Sequence, residues 1–146
     1  MNKVNNLRII SYSPKDTQSV GKIIGQTAKP GQVYLLTGNI GAGKTCLVQG
    51  ILWGLDNPDY VRSPTFVIAT EYSGNIPLFH IDLYRIDKPF STEELGLDEY
   101  LDGNGISVIE WAGTGATDTF GHGLGIVPKM ILMKRTDVAG NAWQVY

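Results

Sequence analysis

The chain has 146 residues, a formal net charge of −2, 42% hydrophobic residues and 18% charged residues. This length and composition fit one folded globular domain over residues 1–146 and exclude a disordered chain. No apolar run approaches the ~20 residues of a membrane span, and the low positive charge argues against tight binding of nucleic acid except through a partner.

The N-terminal segment 1–6 lacks the apolar core of a signal peptide. The single cysteine, Cys46, cannot form an internal disulfide, and it is expected to be a small helix residue in a reducing compartment rather than a redox residue. The chain is therefore expected to be cytoplasmic and not bound to a membrane.

The start of the chain predicts a strand, a helix and a second strand. The first strand is expected at 7–11. Ser13 then supplies a helix N-cap, Pro14 suits the first helical position, and Asp16 is an acid in the first turn. A Lys-Pro-Gly sequence ends that helix, and an apolar strand follows at 32–37.

Residues 38–45 read Gly-Asn-Ile-Gly-Ala-Gly-Lys-Thr, the pattern G-x-x-x-x-G-K-T of a phosphate-binding loop. The strand before it and the helical pattern after it, which ends around 54–58, supply the required context. The glycines allow successive backbone N–H groups and the helix N-terminus to face an anion. Lys44 is expected to reach the β- and γ-phosphates, and the Thr45 hydroxyl to ligate Mg²⁺. The sequence therefore predicts a site for a nucleoside triphosphate with Mg²⁺.

The rest of the chain predicts mainly strands. They are indicated by β-branched and aromatic runs at 67–72, 76–82, 106–111, 129–135 and 141–146. The first two read as a hairpin, and the last two as an antiparallel pair turned at 139–140. A short helix is expected around 92–101, and the glycine-rich segment 113–125 is expected to be a surface loop. Helices early and hairpins late predict an α/β fold of the P-loop nucleotide hydrolase type, with a mixed parallel and antiparallel sheet flanked by helices.

Two acids close apolar strands and could complete the site. Asp82 ends one strand and Glu110 ends another, and a P-loop site needs a carboxylate for Mg²⁺ and a group that orients the attacking water. The sequence pattern alone does not show which acid binds the metal and which orients the water. The shorter Asp82 suits the metal and the longer Glu110 suits the water, while each acid alone is also compatible with an ordinary solvated strand end.

Three other features have two interpretations each. The Ser-Pro-Thr sequence at 63–65 is a candidate switch loop that senses the γ-phosphate, or a plain proline turn. His80 lies in the middle of a strand, where a histidine is more often a structural residue with its hydrogen bonds satisfied than a metal ligand. No second His, Cys or acid at metal-ligand spacing indicates a zinc site. Trp111 is a core aromatic by default, and a contact surface if it is exposed.

Four motifs occur together and resemble the bacterial TsaE family of tRNA threonylcarbamoyladenosine (t6A) biosynthesis. They are the phosphate-binding loop at 37–45, Ser-Pro-Thr-Phe at 63–66, His-Ile-Asp-Leu-Tyr-Arg at 80–85 and Ile-Glu-Trp at 109–111. Residues 16–21 and 95–100 are also similar to that family, so the resemblance covers roughly 10–111. It implies an ATPase that assists the TsaB–TsaD threonylcarbamoyl transfer complex, does not itself perform the transfer, and meets tRNA mainly through those partners.

The resemblance also implies roles for individual residues. Lys44 binds phosphate, Thr45 and Asp82 hold Mg²⁺, Thr65 is the switch threonine, and Glu110 is the catalytic carboxylate. Trp111 is the aromatic residue beside that acid, important for activity or for the complex. The residues expected to contact ATP or ADP are Thr17, Gly38, Asn39, Ile40, Gly41, Ala42, Gly43, Lys44, Thr45 and Cys46.

The loop departs from the family pattern at two positions. Asn39 stands where the family usually has an acid, which bears on hydrolysis rate or partner coupling, and Cys46 stands where it usually has a hydroxyl residue. Two alternatives to a catalytic ATPase remain: a nucleotide-gated binding module with little hydrolysis, and a small-molecule kinase. The kinase alternative is disfavoured because the segment 113–125 contains no arginine or lysine to close over an acceptor.

Overall fold

A computed structural model describes residues 7–64, 67–83, 86, 93–101, 103–111, 130–135 and 142–145. The helices are α1 (Pro14–Thr27), α2 (Lys44–Gly54) and α3 (Asp98–Leu101). The strands are β1 (Leu7–Ile10), β2 (Val33–Gly38), β3 (Ala69–Tyr72), β4 (Leu78–Asp82), β5 (Ile106–Trp111), β6 (Met130–Arg135) and β7 (Ala142–Val145). None of these helices has the length and apolar character that crossing a membrane would require.

The strands form one seven-stranded sheet in the order β1-β7-β6-β2-β5-β4-β3. Its centre is parallel, because β6, β2, β5 and β4 run side by side in the same direction. Both margins are antiparallel: β3 pairs with β4 as a hairpin, and β7 pairs with both β6 and β1. The predicted α/β fold with a mixed sheet is confirmed. The parallel centre matters for the site because it brings the carboxyl ends of β2, β4 and β5 to one edge.

Helix α1 begins as its sequence predicts. The Ser13 hydroxyl accepts a hydrogen bond from the backbone N–H of Asp16 at 3.1 Å, and an Asp16 carboxylate oxygen accepts one from the N–H of Tyr12 at 3.0 Å. The first bond satisfies a backbone donor that the first helical turn leaves without a partner, and the second holds the residue before the N-cap against the helix.

Helices α1 and α2 touch through their backbones. A Cβ atom added at Gly21, Gly25, Gly50 or Gly54 would lie 2.2–2.3 Å from a main-chain oxygen of the opposite helix. No side chain larger than hydrogen fits at that separation. The glycines at four-residue spacing on both helices therefore fix how closely α1 lies on α2.

Two apolar clusters cover the faces of the sheet. On one face, α1 and α2 pack over β2, β4 and β5, with Leu36, Leu47 and Val108 fully buried. On the other face, Leu35, Ile81 and Ile109 pack with residues of the 95–101 region. Helix α2 is buried on nearly all sides because it lies between the sheet and α1.

The helix predicted around 92–101 is shorter in the structure. Residues 93–96 form a turn, and α3 covers only Asp98–Leu101. Gly96 has φ +65°, a left-handed conformation that interrupts a right-handed helix. Strand β3 begins at Ala69, two residues later than predicted. The segment 113–125 and the predicted turn at 139–140 lie outside the described residues.

Candidate nucleotide-binding site

The loop between β2 and α2 takes the shape that its glycines permit. Gly41 has φ +75°, and Gly43 has φ +97° and ψ +20° directly before α2 begins. Both values are in the left-handed region that larger residues rarely adopt. Ala42 is buried and donates its N–H to the Asn39 carbonyl at 3.1 Å, whereas the side chains of Asn39 and Ile40 are exposed. The loop thus curls above the N-terminus of α2.

Lys44 closes this loop from inside. Its Nζ donates to the carbonyl oxygen of Gly38 at 2.8 Å and to that of Asn39 at 3.1 Å, and only 8% of the residue is exposed. Burial lowers the pKa of Lys44 below its usual value, and the negative charges of Glu110 and Asp82 oppose this lowering. The ammonium group is therefore desolvated next to the loop, where an anion interacts with it more strongly than in water.

Substitution of Lys44 by methionine should weaken ATP binding at least about 100-fold, because a desolvated charge–phosphate contact contributes several kcal/mol. Methionine keeps the length of the aliphatic stem but removes the charge. Titration with a fluorescent ATP analogue measures the effect. Lys15→Met, which changes an exposed lysine on α1, is the matched control and should bind like the unmodified chain. Equal affinity in Lys44→Met would contradict a phosphate-binding role.

Three polar side chains from three elements meet beside the loop. The Thr45 hydroxyl donates to Glu110 Oε1 at 3.1 Å, and His80 Nε2 lies 2.8 Å from the same oxygen. Glu110 is 4% exposed and His80 is fully buried. A carboxylate this deeply buried is stabilised only when it is paired and hydrogen-bonded. The structure therefore brings the predicted Thr45 and Glu110 into direct contact.

Asp82 lies next to Glu110, one strand further from the loop. The two residues are register partners at the ends of the parallel strands β4 and β5. Because side chains alternate along a strand, His80, Asp82 and Glu110 all point to the face covered by α1 and α2. Asp82 is close enough to Lys44 for its charge to influence the pKa of that lysine. The division of roles between Asp82 and Glu110 stays a prediction.

The oxygen donors gathered here suit Mg²⁺. Thr45 supplies a hydroxyl, and Asp82 and Glu110 supply carboxylates, which are the hard ligands that this cation prefers. A hydroxyl that donates its proton to Glu110 keeps its oxygen lone pairs for a metal. The group of residues present therefore fits a magnesium ion bound through few protein ligands.

The first turn of α1 borders the site. Thr17 is 1% exposed, and its hydroxyl is 2.5 Å from that of Ser11. Cys46 Sγ contacts the carbonyl oxygen of Pro14 at 3.3 Å, which links the start of α2 to the start of α1. The predicted contact of Thr17 and Cys46 with nucleotide stays a prediction.

The Gln49 side chain holds the segment that follows α2 against that helix. Its side chain is largely buried, donates to the Asp59 carbonyl at 3.0 Å and accepts from the Val61 N–H at 2.7 Å. This pair of bonds holds the segment that leads into the predicted switch sequence. Thr65, its predicted key residue, lies outside the described residues.

Trp111 points away from the acids. It follows Glu110 on β5, so its side chain lies on the opposite face of the sheet. There it is half-buried and packs against the cluster that contains Leu97 and Leu101. Trp111 is thus part of the core margin on that face, and its predicted contact with a partner stays a prediction.

His80 is the residue that sequence reasoning undervalued. Its Nε2 contacts Glu110, but its Nδ1 has no hydrogen-bond partner among the described residues. Within the described part of the chain, only one of its two ring nitrogens therefore has a partner. The two-residue spacing from Asp82 was the available signal, because it places both side chains on one face of β4.

Known proteins with similar sequences and structures point to one family. The family model described as threonylcarbamoyl adenosine biosynthesis protein TsaE matches residues 11–131. The chain is 42% identical over 110 residues to the tRNA threonylcarbamoyladenosine biosynthesis protein TsaE of Bacillus subtilis (strain 168), covering 75% of this chain and 68% of that protein. With the protein of the same name from Treponema pallidum (strain Nichols), the identity is 37% over 105 residues, covering 72% and 78%. The crystal structure of YdiB from Bacillus subtilis superposes with a TM-score of 0.70 at 27% identity, covering 99% of this chain and 86% of that one.

Proposed function

The chain belongs to the TsaE family of tRNA threonylcarbamoyladenosine biosynthesis, and on this premise we propose that it is a Mg²⁺-dependent ATPase. In this proposal it assists a TsaB–TsaD complex that modifies tRNA, and it meets tRNA mainly through that complex. The net charge of −2 supports contact with tRNA through partners, since direct tRNA binding requires clustered cations.

The phosphate-binding loop acts first. Its backbone N–H groups and the N-terminus of α2 receive the phosphates. Lys44 then exchanges its two carbonyl partners, on Gly38 and Asn39, for phosphate oxygens. Thr45 and Asp82 would hold Mg²⁺, whose charge would offset the negative charge that develops on the phosphates.

Glu110 acts next, as the group that orients the attacking water. It lies at the carboxyl end of the strand adjacent to β2, and one of its oxygens is fixed by two neighbours. Among the described residues, the hydrogen bonds of His80 and Thr45 to Glu110 both involve Oε1, and we assign Oε2 to the attacking water. A carboxylate held in this way aligns a water for attack without having to reorganise.

The observation that carries the proposal is the 3.1 Å contact between Thr45 Oγ1 and Glu110 Oε1. It joins the end of the phosphate-binding loop to an acid 65 residues later in the chain. A glycine turn that merely opens a helix has no need of this partner. The contact supports a nucleotide site rather than a chance glycine turn, and substitution of Glu110 distinguishes hydrolysis from nucleotide gating alone.

Reconstitution tests the proposal. The full chain, a TsaB–TsaD pair, tRNA, ATP and Mg²⁺ are combined, and released phosphate and modified adenosine are measured over many turnovers. We expect phosphate release that needs Mg²⁺, and modification that stops after few turnovers when this chain is omitted. Unchanged multi-turnover modification without it would refute the accessory role. Phosphate transferred to a small molecule instead of released would support the kinase alternative.

A further inference from the structure

His80 is a buried polar side chain that the phosphate-binding loop does not use. It lies in the middle of β4, between the buried Leu78 and the partly exposed Asp82, and none of its own surface is exposed. Burying an imidazole costs free energy that an apolar residue would not cost. Its presence therefore calls for a partner, and within the described part of the chain that partner is Glu110.

The partner determines which ring nitrogen of His80 carries the proton. An ionised carboxylate only accepts hydrogen bonds, so Nε2 must donate to Glu110 Oε1 across the 2.8 Å between them. Nδ1 has no partner among the described residues. A bare lone pair there is less costly than a buried N–H without an acceptor. The geometry thus selects the tautomer with the proton on Nε2.

The two bonds to Glu110 Oε1 differ in their dependence on nucleotide. Thr45 belongs to the loop that receives the phosphates, so the contacts of its hydroxyl change when nucleotide binds. His80 lies inside the sheet, and β4 is hydrogen-bonded to β5 along five register pairs from Leu78–Ile106 to Asp82–Glu110. The bond from His80 is therefore the one fixed by the fold alone.

We propose that His80 is a positioning residue that holds the Glu110 carboxylate, through Nε2–H to Oε1, in the orientation that leaves Oε2 for the attacking water. This inference rests on the proposed ATPase function. His80 itself touches neither nucleotide nor water in this arrangement. Its effect on hydrolysis passes entirely through Glu110.

The kinetic test compares His80→Leu with His80→Gln in the full chain. Leucine removes the donor, whereas glutamine can place an N–H near the position of Nε2. We expect kcat for ATP hydrolysis to fall about 10- to 100-fold in His80→Leu, as it does when a supporting hydrogen bond to a functional group is removed. Affinity for a fluorescent ATP analogue should stay within about three-fold, and His80→Gln should recover most of kcat. Leu78→Val, at a buried position on the same strand and face, is the control and should keep normal kcat.

A double substitution separates positioning from a general structural effect. If His80 acts only through Glu110, then His80→Leu should lower kcat by less than about two-fold once Glu110 is already alanine, because the side chain that His80 holds is then absent and the effects of coupled residues do not add. A full further reduction in the double variant would overturn the proposal. Normal kcat in a folded His80→Leu variant would overturn it as well.

An NMR measurement tests the contact without any hydrolysis. A long-range ¹H–¹⁵N spectrum at neutral pH should show the proton of His80 on Nε2, and the Glu110→Ala substitution should shift that nitrogen signal. The chain has two histidines, and the spectrum of the His122→Gln variant shows which signals belong to His80. A proton on Nδ1 would overturn the proposal. If the chain and its partners release no phosphate but the spectrum shows the Nε2 tautomer and its dependence on Glu110, the ATPase function fails while the contact stands.

Discussion

Replacing Glu110 by glutamine is expected to lower kcat for ATP hydrolysis about 100- to 1,000-fold while nucleotide affinity changes less than about three-fold. Glutamine keeps the shape of the side chain, and its amide oxygen can still accept hydrogen bonds. It lacks the negative charge that attracts a proton of the attacking water. Phosphate release measured with the partner complex present gives kcat, and titration with an ATP analogue gives affinity.

The control for Glu110 is Glu71→Gln, which removes an exposed carboxylate from β3 and should leave both quantities unchanged. Asp82→Asn serves as a comparison, since a metal ligand should change the Mg²⁺ concentration needed for half-maximal activity. If Asp82→Asn stops hydrolysis with nucleotide and Mg²⁺ still bound, and Glu110→Gln does not, the two acids have the opposite roles.

Replacing Gly50 by alanine is expected to destabilise the fold by about 3 kcal/mol, at the upper end of the range for overpacking. The added Cβ would meet the Gln18 carbonyl oxygen at 2.2 Å and two further main-chain atoms of Gln18 within 2.9 Å. A side chain could rotate away, but a helix backbone cannot, so α1 must move off α2. Against a typical total stability of about 5–15 kcal/mol, the loss is large. Urea unfolding followed by circular dichroism measures it.

Gly74→Ala is the matched control for Gly50→Ala. A Cβ at Gly74 would have its nearest contact at 3.8 Å, an ordinary van der Waals distance. We expect a stability change within about 1 kcal/mol there. Equal stability of Gly50→Ala and the unmodified chain would show that the two helices tolerate a wider separation.

The sequence predicts best those elements whose signals are local. Helix α1 was located from Ser13, Pro14 and Asp16, since a capping residue, a first-turn proline and a first-turn acid act within one turn. The phosphate-binding loop was located from its glycine pattern, and its flanking strand and helix from the apolar run before it and the helical pattern after it. The helix predicted around 92–101 was wrong in extent because the left-handed Gly96 outweighed the helical preference of its neighbours.

Contacts between distant segments could not be predicted. The pairing of β2 with both β5 and β6, and of β7 with β1, depends on long-range packing that no local pattern encodes. The contact between Thr45 and Glu110 follows from the same pairing, because β5 lies directly beside β2. The sequence offered both residues as candidates, but only the sheet order brings their side chains together.

The role of His80 was missed for a related reason. A single histidine within an apolar strand has no sequence signal that separates a structural residue from one that supports an acid. The distinction depends on β4 pairing in parallel with β5, which sets His80 beside Glu110. The alternation of side chains along β4 predicts only that His80 shares a face with Asp82, and not that it contacts Glu110.

The alternation of Glu110 and Trp111 also makes the end of β5 observable by optical spectroscopy. The two residues share a peptide bond, yet one lies at the phosphate-binding loop and the other in the half-buried margin of the opposite face. Indole emission responds to small changes in solvent contact. Of the three tryptophans in the chain, Trp111 is the one carried by β5, so its emission would report displacements of the strand that carries the acid.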